Sequence, residues 1–290
     1  MADPFFWRGP ATILSPVILS VPHGGRHYPS AMAEQCRLSE DQLMVLEDRH
    51  SDVLAAAAAQ AGHHVITAKT ARAWIDLNRA EDEVDPAMIR MEDRHRIPVR
   101  PSAKVRGGLG LIPRRIAHGG DLWREPLSHH DIQGRVAQVH RPYHAAISAA
   151  LKDRSAKFGM AILLDLHTMP PLKAEIGHPA PHIVVGDLFR RSAHPRYTER
   201  LMAEAQAAGF RVALNTPYAG GAILERHAKP HKGVHGLQLE VDRSLYLDAT
   251  LRDVGAGAAA IAQLVRRIAN ALRDEAQDQA LEQARPLAAE

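Results

Sequence analysis

The chain has a single cysteine, Cys36, and only 4% Phe, Trp and Tyr. One thiol can form neither an intrachain disulfide nor a thiolate metal site, which excludes disulfide-stapled scaffolds and zinc ribbons. There is no apolar run of the roughly 20 residues that span a bilayer. Met1 is followed by Ala2, Asp3, Pro4 and two Phe, not by the basic and apolar segments of an export signal. The expectation is a cytoplasmic protein, neither secreted nor inserted in a membrane. An excess of charge of one sign is also missing: 36 Lys and Arg face 33 Asp and Glu. The basic residues are scattered and no helix-turn-helix or zinc-finger pattern occurs, so nucleic acid is not the expected partner. A basic-lined cleft for a small anionic substrate accounts for the balance equally well.

No stretch reads as a linker and no segment repeats, so residues 1–290 are expected to form one domain. Residues 15–22 read as a strand, and Ser39 as the N-cap of a helix running to about Ala61, with acids in its first turn. Residues 64–70 and 73–77 read as further short strands. From about 80 to 126 the pattern dissolves into charge, Gly and Pro, which predicts a loop excursion over a cleft. Helical periodicity over about 130–158 is followed by strands at 160–166 and 182–188, a helix at 195–209 and a strand at 211–215. A loop at 217–233, a strand at 236–247 and a long helix at about 249–274 with a polar tail complete the chain. Strands alternating with helices predict an α/β fold, with a mixed, mainly parallel sheet covered by helices on both faces.

In such sheets the carboxyl ends of the strands face one crevice, so side chains just after strand-like runs converge there. Three runs end in chemically capable residues: Val-Ile-Leu-Ser-Val-Pro-His23-Gly-Gly, Trp-Ile-Asp-Leu-Asn78-Arg79 and Ala-Ile-Leu-Leu-Asp165-Leu-His167-Thr. A fourth, Gly-Leu-Gln-Leu-Glu240-Val, adds an acid. The glycines after His23 permit close backbone approach, although a solvated turn histidine is the plainer reading. Asp165 shares a strand side with His167 and can orient a metal-bound imidazole, that of His23 included. A metal needs a further ligand, for which Asp48 and Glu47 on the first helix are candidates, with a charged helix surface as the alternative. Arg79 and Asn78 can grip a carboxylate, unless Arg79 forms an internal ion pair with Asp76 or Glu240. Glu240 suits a general base beside a metal-bound water, or equally a structural ion pair. His140 and His144 are four residues apart on one helical face and are expected to pack beside the cleft. Most of the 18 histidines, among them His63, His64, His129, His130, His178, His182 and His194, are expected at surfaces or loops.

These segments, with Trp123-Arg124-Glu125-Pro126, His140-Arg141-Pro142-Tyr143-His144 and Asn215-Thr-Pro-Tyr218-Ala-Gly220-Gly221, resemble the N-formylglutamate amidohydrolase family in order and over about residues 15–247. The resemblance implies a zinc-exopeptidase-like (phosphorylase/hydrolase-like) α/β fold, and hydrolysis of N-formyl-L-glutamate or a similar acidic N-acyl amino acid. It further implies Zn²⁺ or another divalent ion on His23 and His167, Asn78 and Arg79 on the substrate, and Glu240 as base. Zinc-dependent relatives place a glutamate three residues after the first ligand histidine, where this chain has Arg26. Asp48 is taken as the replacement ligand, with Glu47 and His50 behind it. Arg72 is a second candidate clamp, and Tyr218, Gly220 and Gly221, with His227, His231 and His235 beyond, are expected in a loop closing over substrate. The rival expectation is a metal-free binding protein on the same fold, which metal content discriminates. Oligomeric state is not legible.

Overall fold

The computed structural model describes residues 3–116, 120–174 and 179–284. Its strands are β1 (Phe5–Arg8), β2 (Val17–Val21), β3 (His64–Ala68), a small hairpin of β4 (Arg115–Ile116) and β5 (Gly120–Asp121), β6 (Ala161–Met169), β7 (Ile183–Gly186), β8 (Val212–Leu214) and β9 (Val234–Asp242). Its α-helices are α1 (Ser30–Gln35), α2 (Glu40–Leu43), α3 (Ser51–Gln60), α4 (Ala103–Arg106), α5 (His129–Arg135), α6 (Arg141–Phe158), α7 (Pro195–Ala207), α8 (Ala222–His227) and α9 (Ala258–Ala284). The main sheet has the order β1-β3-β2-β6-β9-β7-β8. β3, β2, β6 and β9 run parallel, while β1 and the β7-β8 pair run against their neighbours. This is the expected mixed, mainly parallel α/β sheet.

The central strands are buried on both faces, which is why they read as continuous apolar runs. Along β6, Ile162, Leu164 and Leu166 pack with α3, α7 and α9, while Ala161 and Leu163 pack with α6, α8 and the 80–126 excursion. Period-two alternation then puts Asp165 and His167 on the α6 side. The β6-β9 register pairs Asp165 with Gln238 and His167 with Glu240, so four polar side chains share one patch at the carboxyl ends of two central strands. No described helix is long and apolar enough to cross a membrane.

Several local expectations need correction. The helix expected from Ser39 to Ala61 is two helices: Ser39 does cap α2 with a capping box, but a 3₁₀ turn at Met44–Leu46 follows, and His50 is left-handed at φ 59° before α3 begins. The break exists because Asp48 N donates to His23 O, which draws this corner into the site. Residues 73–77 are buried turns instead of a strand; Asp76 N is held by Leu111 O of the excursion. The excursion is not bare loop, since it contains 3₁₀ turns, α4 and the β4-β5 hairpin. It docks by burying Leu111, Ile112, Leu122 and Trp123. The 217–233 loop contains α8, and the last helix starts at Ala258. His63, expected at the surface, is fully buried between Ser15 and Asn270. His178 lies outside the described residues.

Candidate metal centre and active site

The turn Pro22-His23-Gly24-Gly25 leaves β2 in close contact with the end of β3. A side chain at Gly25 would meet Thr70 O at 2.3 Å, and one at Gly24 would meet Val21 and Ser51. This tight path turns the His23 ring toward His167, with ring centroids 4.8 Å apart. Asp48, arriving from the break before α3, completes the group. Among the described residues, His23, Asp48 and His167 each bring one ligand atom to within 4.8 Å of the others, and all three are buried.

The hydrogen bonds decide which atoms face inward. His167 Nε2 lies 2.9 Å from Asp165 Oδ2, and His23 Nε2 lies 2.7 Å from Asp76 Oδ1. A carboxylate can only accept, so both imidazoles carry a proton on Nε2. Their Nδ1 atoms then converge on one oxygen, Asp48 Oδ2, at 3.0 Å from His167 and 3.4 Å from His23. His23 Nδ1 is buried with no hydrogen-bond partner. The same rule applied to His167 Nδ1, hydrogen-bonded to Asp48 Oδ2, makes His167 a doubly protonated imidazolium here: burial opposes that charge, but Asp165 and Asp48 hold its pKa well above the ordinary value, and a bound cation would take the place of the Nδ1 proton. The other Asp48 oxygen is held by Arg243 Nη2 at 3.1 Å.

The field is arranged to keep these carboxylates charged. Burial opposes the ionised form of Asp48, but the hydrogen bond from His167 and the nearby His23 ring prevail and hold its carboxyl well below the ordinary range. Burial opposes an ionised Asp76 in the same way, and Arg72, His23 and Arg79 overcome it. Glu240 goes the other way: burial pushes its carboxyl up to about 7, with His167 pulling down and Asp48 adding to the rise. Its recorded partner is Gln238 Nε2, at 3.0 Å.

Asn78 sits between the strand ends and α8. Its Oδ1 accepts from Ile223 N at 3.0 Å, and its Nδ2 lies 3.1 Å from His167 Nε2. Gly221 is required for this approach, because a Cβ there would stand 2.4 Å from Asn78 Oδ1. Gly220 adopts φ +123° under Leu188 and Leu224. Both glycines therefore make room in the wall. Arg79 donates through Nε to Leu109 O and through Nη1 to Asn78 O, with Asp76 Oδ2 at 3.9 Å. A cavity of about 440 Å³ opens on the other side of Arg79, where Arg226 stands among the acids Glu81, Asp82 and Glu225, and none of His23, Asp48, His167 and Glu240 lines it. Arg72 forks onto Asp76 Oδ2 at 2.9 and 2.8 Å, so it supports the acid that holds His23. Half-buried Tyr218 stands opposite α4, with Lys104 Nζ 5.8 Å from its ring centroid.

The structure thus brings together His23, Asp48, His167, Asp165, Glu240, Asn78 and Arg79, as the sequence predicts. Asp165 holds its own strand's His167 and not His23, which relies on Asp76. Glu47 pairs with Tyr28 and Arg49, and Arg26 with Asp52. His50 takes no part in the cluster. His144 meets Leu77 O and His227. His235 packs against Tyr197 and His231 is exposed, so of the histidines after the glycines only His227 adjoins the site's supports. The sequence does not single out Gln238 or Arg243, and it offers Asp76 as a partner of Arg79 and not of His23. Asp76 and Gln238 stand two residues before Asn78 and Glu240, and that spacing was the available signal.

Comparison with known proteins places this geometry in context. The model of the N-formylglutamate amidohydrolase family matches residues 15–247. An N-formylglutamate deformylase of Pseudomonas putida is 28% identical over 242 residues, 81% of this chain and 83% of that protein. The N-formylglutamate deformylase of Pseudomonas aeruginosa is 28% identical over 240 residues, 80% and 82% respectively. The crystal structure of an N-formylglutamate amidohydrolase from Ralstonia eutropha JMP134 superposes with a TM-score of 0.88 at 27% identity, covering 96% of this chain and 100% of that one.

Proposed function

Because this chain belongs to the N-formylglutamate amidohydrolase family, we propose that it hydrolyses N-formyl-L-glutamate to formate and L-glutamate with a divalent metal, zinc above all, held by His23, Asp48 and His167. The observation that carries this reading is the convergence of both Nδ1 atoms on Asp48 Oδ2 while Asp76 and Asp165 hold the far nitrogens. That is the support metal-bound imidazoles require. Two nitrogens and one carboxylate oxygen, without sulfur, suit zinc with an open fourth position and accept other divalent ions.

A bound dication supplies a Lewis acid for the formyl oxygen and lowers the pKa of a water toward 7. Glu240, raised to about 7 by burial, takes the proton of the attacking water and delivers it to the leaving nitrogen as the C–N bond breaks. Arg79 holds a substrate carboxylate, and Asn78 offers its amide beside it. Arg72, paired with Asp76, steadies the acid that holds His23, and Tyr218 covers the site from the loop that starts at Asn215.

Elemental analysis of the purified protein and formate release from N-formyl and N-acetyl acidic amino acids test the reading together. About one tightly bound divalent ion per chain with turnover of N-formyl-L-glutamate is expected. A metal-replete protein that turns over no member of the panel defeats it.

A further inference from the structure

Three buried histidines take no part in that chemistry. His140, His144 and His227 stack side by side, with ring centroids 4.3 Å apart for the first pair and 5.1 Å for the second. Their proton positions follow from their partners. Leu77 O can only accept, so His144 carries its proton on Nε2, 3.0 Å away. Its Nδ1 is then an acceptor, and His227 Nε2, at 2.8 Å, must donate to it. His227 Nδ1 is left to accept from Ser148 Oγ at 3.3 Å. Arg79 O likewise fixes His140 Nε2 as a donor at 2.9 Å. One arrangement of protons satisfies all of these bonds.

We propose that His140, His144 and His227 form a neutral, proton-ordered strut that holds the backbone of Leu77–Arg79, making them positioning residues for Asn78 and Arg79. This rests on the reading of Asn78–Arg79 as the substrate-binding segment. Consecutive carbonyls there are each pinned: Leu77 O by His144, Asn78 O by the Arg79 guanidinium and Arg79 O by His140. The carbonyls on either side of Asn78 are thus fixed from the α6 side, while its own amide oxygen accepts from Ile223 N. His227 comes from α8, the helix that Asn78 caps, so the strut ties both walls of the segment to α6. The π-helical turn at Val136–His140, between α5 and α6, puts the His140 ring in reach of Arg79 O.

A second proton on His144, which would go on Nδ1, would set N–H against N–H across the 2.8 Å contact with His227, whereas one on His227 Nδ1 would reverse its 3.3 Å bond with Ser148 Oγ, turning that hydroxyl into the acceptor. Burial opposes it too, pushing His144 down to about 2 and His227 to about 3, with Arg226 and, for His227, Lys229 adding to the effect. Glu81, 3.7 Å from His140 Nδ1, pulls that ring the other way, but burial prevails and its pKa is lowered.

Nitrogen NMR of the full-length protein with ¹⁵N-labelled histidine reads tautomer and charge directly and needs no substrate. Three neutral Nε2–H imidazoles, constant from about pH 5 to about pH 8, are expected, each assigned by its loss in the matching His→Gln variant. A ring among them that titrates in that range, or carries its proton on Nδ1, overturns the strut. The functional half is tested with His227→Leu and His227→Gln, since glutamine keeps an N–H donor at a similar reach. Leu should raise KM for N-formyl-L-glutamate about tenfold with kcat and metal content near those of the parent chain. Gln should recover most of that loss. Equal behaviour of the two variants, or an unchanged KM in both, refutes positioning. Absence of turnover in the parent chain would strike the proposed activity alone and leave the tautomer result to decide the strut.

Discussion

Glu240→Gln should make the metal-free protein more stable and the enzyme nearly inactive, and the two effects have one cause. Burial raises the Glu240 carboxyl from an ordinary 4.5 to about 7. At about 1.36 kcal/mol per pH unit, ionised Glu240 leaves the folded state about 3 kcal/mol less stable than a neutral isostere would. The sign follows from the order of the two values. Between about pH 4.5 and 7 the unfolded chain has released this proton and the folded chain has not, so this contribution falls as pH rises and levels off above 7. Glutamine has no such titration, and its carbonyl can still accept from Gln238 Nε2, the bond now made at 3.0 Å. Its own NH₂ has no assured acceptor, which offsets part of the gain, so a net advantage on the order of 1–3 kcal/mol is expected. Urea denaturation of metal-free parent and variant at about pH 5 and about pH 8 measures it. The advantage should be present at the higher pH and mostly absent at the lower, while kcat for formate release falls by about 10² to 10⁴ with metal retained. An advantage equal at both pH values, or none at the higher one, would refute the burial argument; an unimpaired kcat would remove Glu240 as base.

Four further outcomes are expected. His23→Ala and His167→Ala should lose metal and activity together, read by elemental analysis and formate release on the same samples. Arg79→Ala should lower kcat/KM for an acidic substrate by about a hundredfold, and by much less for an analogue whose carboxylate is an amide; equal losses would assign Arg79 to the scaffold. Gly221→Ala, whose Cβ would stand 2.4 Å from Asn78 Oδ1, should cost about 1–3 kcal/mol in denaturation and raise KM. The kcat/KM profile should fall on the acid side with a midpoint at or below about 7, because a neighbouring dication favours ionised Glu240, and Glu240→Gln should lack that limb.

The parts of the site that sequence reading recovers lie at the ends of central strands. β2 and β6 are buried on both faces, so their apolar runs stop visibly at His23 and Asp165-Leu166-His167. Ile75 and Leu77 give the same apolar signal in a segment that pairs with no strand, because the excursion and not the sheet covers it; the signal reports burial and not backbone geometry. Edge strand β1 escapes notice since it is short and half exposed. Asp48 could be suspected but not oriented, because what turns it inward is a backbone bond to His23 O, between residues far apart in the chain. Asp76 reads as a possible partner of Arg79, and its stronger tie to His23 depends on how two turns meet in space.

His167 and Glu240 are neighbours across the β6-β9 ladder. Their separation is therefore set by the spacing of paired strands, and a shift of pairing by one residue would send one of them to the opposite face. Evolution cannot tune that distance gradually: it is inherited whole or lost. Arg79, by contrast, is steadied by Leu109 of the excursion, and Tyr218 faces Lys104 there. No strand ladder fixes that contact, so substitutions at Lys104 and Tyr218 can accumulate singly and reshape the surroundings of Arg79 while the β6-β9 pairing stays as it was.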